Sequence, residues 1–131
     1  MNDFTNVEVL KRVRETLQEL LFRLDDFYNN MFMQINLSDI NSLFRKFAKE
    51  CVNYSKTESY RLLEEYNKEY AKYSVFRYMD KKFFIAMRKR NISVNDFFMI
   101  DKSLKNTISS IKHEIMMIEE FYSQNIKLFN N

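Results

Sequence analysis

At 131 residues and a net charge of +3, the chain has the length of one domain around one core, and residues 1–131 are expected to form a single helical-bundle domain. It holds no glycine and no proline, which withdraws the left-handed turns and rigid corners that a β-rich fold needs repeatedly. Residues that are 46% apolar and 30% charged supply both a core and a wetted surface and exclude intrinsic disorder.

Hydrophobic spacing predicts four helices. Over 5–35, Leu10, Val13, Leu17, Leu20, Leu24, Phe27 and Met31 recur at alternating steps of three and four, the seam of a helix that packs on other helices. Beside that seam Leu21, Tyr28 and Phe32 form a second stripe, which points to contacts on two sides and makes these three the candidate protein interface. Over 38–54 the stripe is Ile40, Leu43, Phe47, Cys51 and Tyr54. Over 56–90 it runs from Leu63 and Tyr66 through Tyr70, Tyr73, Phe76, Met79 and Phe83 to Met87, with steps of three that drift around the helix and predict a bend. Over 93–129 the seam returns as Leu104, Ile108, Ile111, Ile115, Ile118 and Tyr122, with Phe97 one heptad earlier.

Capping boxes mark the starts at Thr5 with Glu8, Ser55 with Glu58 and Ser93 with Asp96, and Asn36 or Ser38 serves the second helix. The fold class expected is therefore all-α: an antiparallel bundle of three long helices and one shorter helix with coiled-coil-like packing, since short connections favour antiparallel neighbours. The shorter helix leaves apolar surface on the long ones to be covered by a bend, a second copy or another partner.

Several function classes lack their chemistry. Phosphate-cradling loops need glycine for close backbone approach; zinc sites need several Cys or His ligands and the chain has Cys51 and His113 alone; a di-iron carboxylate bundle needs Glu-x-x-His pairs, which do not occur. Cys51 sits on an apolar stripe, the place of a small buried thiol rather than a nucleophile, and His113 reads as a surface histidine. The doublets Asp25/Asp26, Glu64/Glu65 and Glu119/Glu120 point about 100° apart on a helix, as solvated faces do. No enzyme, cofactor, metal or small-molecule substrate is expected.

The single cysteine forms no internal disulfide and places the chain in a reducing, intracellular, cytoplasmic setting. Charges at Asp3, Glu8, Lys11, Arg12 and Arg14 interrupt any leader, and the charge-free run 27–38 holds Asn29, Asn30, Gln34 and Asn36, so no membrane contact is expected. The weight of Asn, Lys, Ile, Phe and Tyr matches AT-rich coding, as in mobile elements or viral accessory proteins.

Charge is uneven. Between 75 and 112, Arg77, Lys81, Lys82, Arg88, Lys89, Arg90, Lys102, Lys105 and Lys112 face only Asp80, Asp96 and Asp101, and the Arg88-Lys89-Arg90 run stands just before a helix N-terminus, where free N–H groups favour an anion. Two functions follow. The first is an interaction protein of adaptor, assembly-subunit or inhibitor type whose partner is another protein, a second copy (homodimer) included. The alternative is a nucleic-acid-binding subunit whose basic 77–112 region contacts phosphates, with aromatics interleaved for stacking.

Overall fold

The computed structural model describes residues 3–34, 36–69, 89 and 91–129, with backbone alone for Leu37 and 125–129. The described residues are helical and contain no strand: α1 Val7–Met33, α2 Leu37–Tyr54, α3 Glu58–Glu69 and α4 Val94–Phe129. The remainder of the third predicted helix, with its expected bend, lies outside the described residues apart from Lys89.

α1 is the helix on which the others meet, since α4, α3 and α2 each pack against it, α4 most extensively. The reason lies in its seam. Leu10, Val13, Leu17, Leu20, Leu24, Phe27 and Met31 are all buried, and each fully buried apolar side chain of this size contributes roughly 1.5–3 kcal/mol. α4 answers with Ile100, Leu104, Ile108, Ile111, Ile115 and Ile118, also buried. At one end of this pair the Tyr122 hydroxyl donates to the Val7 carbonyl at 3.1 Å, with Lys11 and Arg14 over the Tyr122 ring at 5.9 and 5.8 Å. At the other end the rings of Phe32 and Phe97 meet edge to face at 5.9 Å. Val7 is thus level with Tyr122 and Phe32 with Phe97, the same number of residues apart on each helix.

α2 differs from its predicted stripe. Phe44, Phe47 and Ala48 are its buried apolar residues, while Ile40, Leu43, Cys51 and Tyr54 are half-buried. The cause is two-sided contact: Phe47 stacks on Phe27 of α1 at 3.9 Å, while Phe44 lies against both Phe27, at 5.6 Å, and Phe97 of α4, at 6.4 Å. A helix wedged between two others buries a face broader than one heptad stripe. On α3, Leu62 joins Leu63 and Tyr66 in the core.

The caps show how a chain without glycine delimits its helices. Ser93 and Asp96 form the reciprocal box expected of them, the Asp96 N–H donating to Ser93 Oγ and the Ser93 N–H to Asp96 Oδ2, both at 3.1 Å. Asn36 caps α2, accepting from the Asp39 N–H at 2.9 Å. The other two boxes are displaced. Asn6, not Thr5, caps α1 by accepting from Glu8 N–H at 2.8 Å, because Thr5 is engaged with Asp3 at 2.6 Å. Thr57, not Ser55, accepts from the Tyr60 N–H at 3.3 Å where α3 begins, since Ser55 still serves as the C-cap of α2.

The buried polar groups tie elements together. Asn41 of α2 accepts from the Ile92 N–H at 3.3 Å, fixing the segment that leads into α4. Glu114 of α4, only 4% exposed, accepts from the Tyr66 hydroxyl of α3. Its second oxygen, Oε2, has no partner among the described residues.

Candidate functional site

The face formed jointly by α1 and α4 carries the features a partner could read. On α1, Leu21, Asp25, Tyr28 and Phe32 follow at steps of four, three and four and so share one stripe. The Tyr28 and Phe32 rings meet at 5.0 Å, Phe32 continues to Phe97 of α4, and Phe97 to Phe98 at 6.2 Å. Phe32 is 54% exposed, Phe98 61% and Val94, one turn before Phe98, 70%. Two of the three sequence-predicted interface residues, Tyr28 and Phe32, are therefore brought into one aromatic chain. Leu21 lies two turns earlier on the same stripe and is half-buried against the core. Phe98 and Val94 were not among the predicted interface residues; their step of four on α4 was the available signal.

Polar groups frame this face. Lys105 pairs with Asp101 at 3.2 Å; burial, then the Asp101 carboxylate, push the Tyr28 hydroxyl above its ordinary pKa of 10.0, with Lys105 opposing. Asp101, then Tyr28, hold Lys105 above its ordinary value. Lys102 is exposed and makes no ion pair among the described residues.

The basic candidates divide. Arg77, Lys81, Lys82, Arg88 and Arg90 lie outside the described residues. Lys89 pairs with Asp96 at 2.8 Å, and that contact, then the Ser93 backbone, keep the Asp96 carboxyl below its ordinary pKa of 3.8. The N-terminus of α4, expected from sequence to favour an external anion, is thus served by the protein's own Asp96 carboxylate with a lysine behind it. Of the described candidates, Lys89 and Lys105 are neutralised locally and Lys102 is not.

The groups considered for chemistry are placed apart from this face. Cys51 is half-buried on α2, and burial, then Glu50, push its thiol to about 12, with Arg23 opposing. A thiol so raised carries almost no thiolate near neutral pH. Alkylating reagents are therefore expected to leave Cys51 unmodified at about pH 8 in the folded protein and to label it once denaturant is added; equal rates in both states would contradict the placement. His113 is half-buried rather than on the open surface. Among the described residues no group of three or more His, Cys, Asp and Glu could hold a metal, and no helix is long and apolar enough to cross a membrane. Shallow grooves of about 370 Å³ along α2, at Arg45, Ala48, Lys49 and Val52, and about 170 Å³ between α1 and α2, bordered by Phe22, Asp26, Lys46 and Glu50, lie at the low end of and below the roughly 300–1,000 Å³ of ligand pockets.

No protein-family model, curated protein or solved structure matches the chain.

Proposed function

We propose that the chain is a non-enzymatic interaction protein of adaptor, assembly-subunit or inhibitor type, one antiparallel, coiled-coil-like helical bundle that binds another protein through the α1/α4 face. The observation that carries this reading is the cluster of Phe32, Phe98 and Val94, each more than half exposed, at one end of that face. Isolated exposed apolar residues are ordinary on protein surfaces, whereas aromatic residues gathered beside half-buried ones have the composition of an interface core. The antiparallel arrangement is supported by the two end contacts, Tyr122 with Val7 and Phe97 with Phe32.

The alternative, a nucleic-acid-binding subunit using the basic 77–112 region, is favoured by one observation, the exposed and unpaired Lys102, and is weakened by the internal pairing of Lys89 and Lys105. Labelled single- and double-stranded oligonucleotides at about 50 and 200 mM salt separate the two, because phosphate-dominated affinity falls steeply over that range. The protein-binding reading expects no association at the lower salt. Association that weakens with salt and is lost on changing Arg88, Arg90 and Lys102 to glutamate would replace it with the nucleic-acid reading.

A further inference from the structure

The same face carries charges whose placement specifies a partner. Along α1 the stripe reads Asp25, then Phe32, seven residues on; along α4 it reads Lys102, then Phe98, four residues before it. The register set by Val7 against Tyr122 and Phe32 against Phe97 makes Asp25 nearly level with Lys102, and Phe32 with Phe98. At these two levels the helices offer a carboxylate against an ammonium and a phenyl ring against a phenyl ring. Within a single chain the two charges stand side by side on the face rather than paired: Asp25 and Lys102 form no ion pair among the described residues.

A two-fold axis running parallel to the helices lays α1 of one copy over α4 of the other with every level preserved. That operation brings Phe32 onto Phe98 and Asp25 onto Lys102, and does so twice, once on each side of the axis. An isologous interface has this property: whatever is complementary between two halves of one face is satisfied reciprocally. A two-fold perpendicular to the helices and centred on the phenylalanines would instead carry Asp25 past the end of α1 and leave most of both faces bare.

We infer that the partner of the α1/α4 face is a second copy of this chain, docked by a two-fold axis parallel to the helices; the inference rests on the protein-binding reading and names its occupant. The size agrees. At about 1.5 Å per residue the overlap of α1 and α4 from Val7 to Phe32 is roughly 37 Å long, and two helices side by side are about 20 Å wide, a face whose area is comparable with the ~800 Å² per partner of a stable interface. Phenylalanines form the dry end, and the charge pairs set direction and partner choice more than affinity.

Sedimentation equilibrium of the full chain from about 1 to 100 µM, a range that resolves dissociation constants down to the micromolar, tests this with four variants: D25K, K102D, the double D25K/K102D, and F32D/F98D. All the altered side chains lie outside the buried core, and unchanged far-UV circular dichroism confirms that each variant folds. The wild type is expected to be a dimer, D25K and K102D each to raise the dissociation constant about tenfold or more, the double charge swap to recover most of the loss, and F32D/F98D to be monomeric. A monomeric wild type at about 100 µM overturns self-association but leaves the protein-binding reading standing, to be judged by whether a different protein requires Phe32 and Phe98. A dimer insensitive to F32D/F98D, or a double swap no better than its parents, overturns the two-fold arrangement.

Discussion

Leu17→Ala is expected to lower the unfolding free energy by about 3–5 kcal/mol, the upper part of the range for truncating a buried leucine. Leu17 is 0% exposed at the middle of α1, and α1 is the helix against which α2, α3 and α4 all pack. A cavity there cannot be closed by moving one neighbour without disturbing the others. The neighbouring Gln18 is exposed, so Gln18→Ala should change stability by no more than about 0.5 kcal/mol. Urea unfolding followed by circular dichroism checks both, with the midpoint falling for Leu17→Ala and the slope unchanged. Similar midpoints for the two variants would mean that α1 is not the centre of the core.

The second large effect is a stability that falls as pH rises. Burial pushes the Glu114 carboxyl above its ordinary pKa of 4.5, and the Tyr66 hydroxyl and then His113 oppose the shift without reversing it. A folded-state pKa above the unfolded one means that the native protein holds the proton more tightly. This contribution to stability is complete below the unfolded pKa and is lost as pH rises through the folded one, by at most about 1.4 kcal/mol per pH unit for one proton. Glu114→Gln should flatten that slope and exceed the wild type in stability on its alkaline side. Asp3 and Asp96, whose carboxyls are held low by Thr5 and by Lys89 respectively, act in the opposite direction at acid pH and are common to both proteins. The difference between the two pH profiles therefore isolates Glu114. Parallel profiles from about pH 4 to 8 would show that Glu114 titrates as an ordinary exposed carboxyl.

How far the molecule could be read from its sequence varies with the number of neighbours each helix has. The seam of α1 was legible residue by residue and that of α4 from Leu104 to Ile118, because each helix turns a continuous apolar stripe to the core, but the fully buried Ile100 was missed and the expected Phe97 and Tyr122 are only half-buried. α2 was legible as a helix but not in its buried face, since Phe44 and Ala48 become core only when α2 is wedged between Phe27 and Phe97. The cap at α1 passed from Thr5 to Asn6 through a competition with Asp3 that spacing alone does not rank. Glu114 was missed although it stands three residues after Ile111 and four before Ile118, on the apolar arc of α4; its acidity concealed what its position showed. In the candidate site, Tyr28 and Phe32 were visible as a second stripe. The level of Asp25 with Lys102 was not, because it depends on the register between two helices far apart in the chain.

The most direct test of a protein-binding α1/α4 face is covalent cross-linking in the cells that make the protein, comparing wild type with Phe32→Asp/Phe98→Asp at equal expression. The wild type should give discrete protein adducts, of itself or of another chain, that disappear from the variant while its helicity and thermal stability are retained. The same adducts at the same yield on both proteins would contradict the assignment of this face.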